Sequence, residues 1–146
     1  MTRTLEGQVA LVTGSARRIG ACIVETLHEA GARVAIHYRG SASDAEALAA
    51  RLNDRRAESA NTFQANLLET ESLPELIARV LDWGGRLDAL INNASTFYPT
   101  PMGEISEEHW DDLVGINLKL PLFLSQAAVP ALKESRGSIV NLVDIH

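Results

Sequence analysis

The sequence predicts an α/β fold, a doubly wound parallel sheet of about five strands with helices between them. Three observations predict it. Val9 to Val12 is a short apolar run, as expected of a strand buried on both faces. Gly14 follows it with a sharp turn, and Ile19, Ile23 and Leu27 then recur at helical spacing, giving strand, glycine turn, helix. Further along the chain, strand-like runs keep alternating with helical patterns of ten or more residues, which implies βαβ crossovers. In such sheets ligands lie at the carboxyl ends of the strands. The segments that can meet are therefore 14–20, 37–41, 66–67, 92–97 and 144–146.

Each element follows from local chemistry. The helix after the glycine turn stops at Gly31, and Arg33 to Tyr38 reads as the second strand. Ser43-Asp44-Ala45-Glu46 has capping-box form, and Leu48 and Leu52 continue the helix to about Arg56. Asn61 to Asn66 is a weaker third strand. Ser72-Leu73-Pro74-Glu75 repeats the capping-box form before an apolar stripe of Leu76, Ile77, Val80 and Leu81, and Gly84-Gly85 ends that helix. Leu87 to Ile91 is the fourth strand, opening into Asn92-Asn93-Ala94-Ser95. Ser106-Glu107-Glu108 starts a helix whose apolar side is Trp110, Leu113 and Val114; Pro121 should kink or divide it before it continues to about Leu132. Ser138 to Val143 is the fifth strand.

Composition narrows the functional classes. The 146 residues form one domain large enough for a core, with 46% hydrophobic and 22% charged residues. A net charge of −6 without a basic block argues against nucleic acid. The single cysteine, Cys22, excludes an internal disulfide and suits a reducing compartment; its helical setting without a nearby histidine predicts buried packing. No apolar stretch of transmembrane length and no signal-peptide core are expected, which predicts a cytoplasmic protein without a membrane partner. No pattern points to a metal.

The glycine turn leaves backbone N–H groups free at a helix start, where the dipole is positive, and the natural guest is a phosphate or diphosphate. The spacing differs from GxGxxG: Arg18 stands where many dinucleotide sites carry a middle glycine. Read blandly, this is a βα turn with two surface arginines. The end of the second strand then separates two cofactors. An NAD site usually places an acid there for the ribose 2′-OH, whereas this corner reads His37-Tyr38-Arg39-Gly40-Ser41. Arg39, Ser41 and Arg17 suit a 2′-phosphate, so the corner predicts NADP over NAD; the bland alternative is a solvated Arg39. At the fourth strand end, Asn92 reads as a brace of the sheet, and small Ala94 and Ser95 let a ribose or nicotinamide approach the backbone. Phe97 either staples its loop or walls a slot for a flat ring.

With Thr13-Gly14…Gly20 and Asn92-Asn93-Ala94 both present, the chain resembles the short-chain dehydrogenase/reductase family over nearly all its length, which implies a Rossmann-like domain. Within that family it is most similar to the pteridine reductase group. The stretches that carry this are Thr13-Gly14-Ser15-Ala16-Arg17-Arg18-Ile19-Gly20, His37-Tyr38-Arg39-Gly40-Ser41 and Asn92-Asn93-Ala94-Ser95-Thr96-Phe97-Tyr98-Pro99-Thr100-Pro101, with Val143-Asp144 where other members usually have serine. The resemblance implies NADPH as cofactor. Gly14, Arg18, Ile19 and Gly20 would surround its diphosphate. His37 and Tyr38 would line the second corner, with Arg17, Arg39 and Ser41 on the 2′-phosphate. Asn66 and Leu67 would flank the adenine, although Asp is common where Asn66 stands. Asn93, Ala94 and Ser95 would face the nicotinamide half.

For the substrate, the resemblance implies a pterin held by Arg18 and Ser95 and stacked on Phe97. Asp144 would be the acidic catalytic partner, and Asn117 the asparagine that supports a proton-relay water; a cap just past the strand and a helix residue bonding backbone are their bland readings. It also implies a homo-oligomer, a tetramer packed through helices of the Trp110 to Leu132 region.

The family's Tyr-x-x-x-Lys pair is absent: Tyr38 and Tyr98 are followed four residues on by Ala42 and Met102. The expectation is an N-terminal portion of a longer reductase of pterins, dihydrobiopterin-like or dihydrofolate. A general carbonyl or 3-oxoacyl thioester reductase is the alternative, and it predicts serine at position 144. A non-catalytic NADP-binding module is the second alternative.

Overall fold

The computed structural model describes residues 4–143. Five strands, β1 (Val9–Val12), β2 (Arg33–Tyr38), β3 (Ala60–Gln64), β4 (Ala89–Asn92) and β5 (Ser138–Asn141), form one sheet in the order β3-β2-β1-β4-β5. Every pairing is parallel, with Val12 opposite Ile36 on one side and Ile91 on the other. The strand order reverses between β1 and β4, which places a ligand crevice at their carboxyl ends.

Alternation along the strands builds two cores. Val9, Leu11, Ala35, Phe63 and Leu90 face α3 (Leu73–Gly84) and α5 (Leu120–Ser135), meeting Leu76, Val80, Leu120, Leu124 and Ala128. Ala10, Val12, Val34, Ile36 and Ile91 face α1 (Arg18–Glu29) and α2 (Ala42–Arg55), meeting Val24, Ala45, Leu48 and Leu52. This is the doubly wound arrangement expected.

Local expectations are corrected in several places. The buried stripe of α1 is Gly20, Val24 and His28, one residue out of phase with the expected one; Ile19 is 66% exposed, while Ile23 and Leu27 pack at the margin. Cys22 is exposed rather than buried. Helix α2 begins one residue earlier than its presumed cap: Ser41 is the N-cap and Ser43 lies inside the helix. Ser72 does precede α3, but its hydroxyl donates to the Glu69 carbonyl instead of capping.

Helix α4 (Glu107–Val114) starts with a closed capping box between Ser106 and His109. No residue of it is buried, so Trp110 is a surface side chain. A five-residue π turn, Gly115–Lys119, joins it to α5, with Pro121 in the first turn of α5. The division expected at Pro121 is thus made by that turn. The run Glu107–Ser135 is long and apolar enough to cross a membrane, contrary to the sequence expectation. Within this fold it covers the sheet through Leu120, Leu124, Ala128 and Leu132, spaced four apart. Strand β5 is exposed throughout, with Ile139 and Val140 in the open.

Candidate active site

The β1–α1 loop is held from both neighbouring strands. Thr13 Oγ1 accepts the backbone N–H groups of Asn93 (3.0 Å) and Ala94 (2.9 Å). The Asn93 amide returns two bonds, to the carbonyls of Thr13 (2.9 Å) and Gly14 (3.1 Å). From the other side, the Gly14 N–H donates to His37 Nδ1 (3.0 Å), and the Ser15 N–H donates to the His37 carbonyl (2.9 Å).

Two glycines make the close approach possible. Gly14 has φ +58°, and a Cβ there would lie 3.0 Å from Ala94 Cα. A Cβ on Gly20 would come within 2.5 Å of the Gly14 carbonyl oxygen and 2.7 Å of the Asn93 amide nitrogen. The start of α1 is left open: Arg17 is its N-cap with no side-chain cap bond, and its first turn carries no acid. Exposed N–H groups and the positive end of the dipole therefore face the loop.

Arg18 has φ +54°, the left-handed conformation that the expected glycine would adopt freely. For a side chain this costs roughly 1–2 kcal/mol. Among the described residues, neither Arg18 nor Arg39 forms a side-chain hydrogen bond or ion pair. Arg17 is engaged: its Nη2 donates to Ser41 Oγ at 2.7 Å, and its Nε lies 3.5 Å from Asp44 Oδ2. Arg17 and Ser41 thus meet at the start of α2, where Ser41 makes no cap bond of its own, and Arg39 is an exposed residue two positions before Ser41.

Asp44 was not singled out from the sequence. It comes from the first turn of α2 rather than the end of β2, yet its carboxylate reaches the arginine of that corner. The signal was the spacing Ser41-x-x-Asp44, which has capping-box form.

His37 is corrected as a cofactor contact. Its side chain is buried beneath the loop. Since Nδ1 accepts from Gly14, Nε2 carries the proton and donates to the Ala65 carbonyl at 3.1 Å. Burial is the main cause that lowers its pKa, to about 4; the Ala65 carbonyl opposes this and the charge of Arg79 adds to it. The ring is a neutral brace. Leu67 is corrected too: its side chain belongs to the core, which leaves only its backbone for an adenine. Asn66 is occupied locally, donating to Glu69 Oε1 (2.9 Å) and accepting from the Leu68 N–H (3.3 Å).

Beyond β4 the chain opens through Ser95, and Phe97 stands 76% exposed. The loop is tied down at two points. The Asn117 side chain bonds both backbone groups of Thr96, accepting from N–H at 3.2 Å and donating to C=O at 2.7 Å. The Tyr98 hydroxyl donates to Asp112 Oδ2 at 3.0 Å, and its ring meets His109 edge-on at 5.6 Å. Burial first, then the Asp112 carboxylate, raises the Tyr98 pKa. The side chain of Asn117 is thus a loop clamp, as in its bland reading. Asp144 and His146 lie outside the described residues.

Comparison with known proteins agrees with this geometry. The family model described as short chain dehydrogenase matches residues 8–144. The chain is 39% identical to pteridine reductase 1 of Leishmania tarentolae, over 99% of this chain and 63% of that protein. It is 36% identical to a 3-oxoacyl-acyl-carrier-protein reductase of Staphylococcus epidermidis, over 93% of this chain and 56% of that one. Among solved structures, a blue fluorescent protein from a metagenomic library, in complex with NADPH, superposes with a TM-score of 0.87 at 32% identity, covering 94% of this chain and 56% of that one. A Serratia marcescens short-chain dehydrogenase/reductase gives 0.88 at 30%, covering 94% and 55%. The chain spans less than two thirds of the length of these relatives. From the glycine loop to the Asn93 clamp, the fold and the match agree that this chain belongs to the short-chain dehydrogenase/reductase family of oxidoreductases.

Proposed function

We propose that the whole protein is an NADPH-dependent reductase of pterins. The observation that carries this reading is Arg18: an arginine holds a glycine's backbone conformation, and its guanidinium has no partner among the described residues. A strained side chain with its guanidinium uncommitted among the described residues, beside an open helix start, suits a ligand-binding arginine. The similarity to a pteridine reductase supports the same choice.

The residues present fit NADPH. Gly14 and Gly20 hold a loop that any Cβ would fill, and the open start of α1 suits the diphosphate. Arg17, Arg39 and Ser41 suit the 2′-phosphate, and Ala94 and Ser95 leave room for the nicotinamide half. When bound, NADPH supplies a hydride to a ring carbon of the substrate. Arg18 and Ser95 orient the pterin, and Phe97 offers its exposed ring as one wall of the slot. Asn117 fixes the loop that carries Phe97 and is the proposed support of a relay water. Asp144 is the proposed proton source, together with a Tyr-Lys pair found nowhere in residues 1–146. The working location is the cytoplasm. The working assembly is a homo-tetramer packed through the exposed Trp110, Leu118 and Leu122 of the α4–α5 face.

The second reading, a 3-oxoacyl thioester reductase, is favoured by the comparable identity to that enzyme. NADPH consumption by the full-length protein with a dihydropterin, dihydrofolate and an oxoacyl thioester separates the two. Dihydropterin turnover that falls at least tenfold in Arg18→Ala is expected, while turnover of the thioester alone refutes the pterin reading.

A further inference from the structure

The corner between β2 and α2 holds a carboxylate that the NADPH reading does not use. Asp44 is the third residue of α2, and Ser41 is its N-cap. At that spacing the two side chains ordinarily close a capping box on the helix start. Here Ser41 makes no cap bond. Its hydroxyl accepts from Arg17 Nη2 at 2.7 Å, and Asp44 Oδ2 lies 3.5 Å from Arg17 Nε. One arginine has drawn both groups toward itself, and both charged side chains are half-exposed.

We infer that Asp44 is a specificity-determining residue: its carboxylate competes with the cofactor's 2′-phosphate for Arg17, and so sets how far NADPH is preferred over NADH. The inference rests on the NADPH reading above. A 2′-phosphate is nearly dianionic and needs the same guanidinium, so its arrival brings two like-charged groups around one cation. NADH has only a hydroxyl there, which a carboxylate tolerates and can accept from. Asp44 thus weakens NADPH and spares NADH. An acid at the end of β2 would favour NADH outright; one helical turn further on, the acid moderates the preference.

The test is the dissociation constants of NADPH and NADH, read from nicotinamide fluorescence, on the full-length protein and on Asp44→Asn and Arg17→Ala. Asparagine keeps the size of Asp44 and is tolerated in a first helical turn, and a melting curve checks the fold. Asp44→Asn is expected to tighten NADPH about three- to tenfold, with NADH unchanged or weaker, and the gain should shrink at high salt. An unchanged NADPH-to-NADH ratio, or weaker NADPH, overturns the inference; if Arg17→Ala then still abolishes the preference, the cofactor reading survives. A wild type that binds both cofactors equally and ignores Arg17→Ala overturns the reading and the inference together.

Discussion

Arginines occupy both ends of the same sheet, and they do opposite things. At the amino ends of the strands, Arg33 donates to the carbonyls of Glu58, Gly84 and Trp83, each at 3.1 Å, and stacks 4.4 Å over the Trp83 ring. Arg56 donates to the carbonyls of His28 and Ala32, closing off the end of α1. Arg86 grips both oxygens of Asp88, whose carboxylate also accepts the Val9 N–H at 2.8 Å. At the carboxyl ends, Arg17 holds one hydroxyl and one loose carboxylate, while Arg18 and Arg39 hold nothing among the described residues. The first set satisfies helix ends and strand edges that would otherwise lack partners. The second set leaves charge waiting. Partner supply, not residue type, separates a structural arginine from a ligand-binding one.

The largest effect that sharpens this contrast comes from a firmly committed group at the carboxyl end. His37 has a native pKa of about 4 against an ordinary 6.5, so the unfolded chain takes up the proton first as pH falls. Above pH 6.5 neither state binds it and the contribution vanishes. Between pH 6.5 and 4 the native state loses about 1.4 kcal/mol per pH unit, roughly 3 kcal/mol in all. Denaturant unfolding of wild type and His37→Gln across that window should converge at low pH and separate at neutral pH. Curves that stay parallel would mean the ring is not the buried neutral brace of the Gly14 loop.

The second effect tests the amino end. Arg33→Ala removes three charged donor contacts, two of them partly buried, and a ring contact. It should cost about 2 kcal/mol of stability. NADPH affinity should stay within about twofold of wild type, because the site lies at the other end of the strands. A loss of NADPH binding without a loss of stability would erase the distinction between the two ends.

The sequence carried the fold well and the contrast poorly. The β2 bounds, the Ser106 cap and the helix–strand alternation were legible because each rests on chemistry within a few residues. The glycine loop was legible for the same reason. The environment of His37 was not, because its partners Gly14 and Ala65 lie 23 and 28 residues away and only the parallel pairing brings them together. Cys22, in a helix without a nearby histidine, reads as buried, whereas packing turns its face of α1 outward. Asp44 is not legible from the strand end, because the diagnostic acid belongs to β2 and this one arrives from α2. Ser43 drew attention as a cap because Glu46 follows it at the right spacing; the real cap, Ser41, has Asp44 at the same spacing.

The smallest effect isolates what the left-handed backbone of Arg18 contributes. Arg18→Ala removes the guanidinium and keeps a Cβ at φ +54°, whereas Arg18→Gly removes both. In ordinary backbone, glycine is the less stable choice because it loses more freedom on folding. Here the steric cost of the Cβ outweighs that entropy, so Arg18→Gly should be the more stable variant by about 1 kcal/mol. Both should lose NADPH affinity to the same degree, since both lack the guanidinium. Chemical denaturation and NADPH titration on the pair give the two numbers separately. If glycine proves less stable than alanine, the loop relaxes around position 18. If glycine alone retains affinity, the diphosphate is held by backbone N–H groups, and the arginine serves the other ligand.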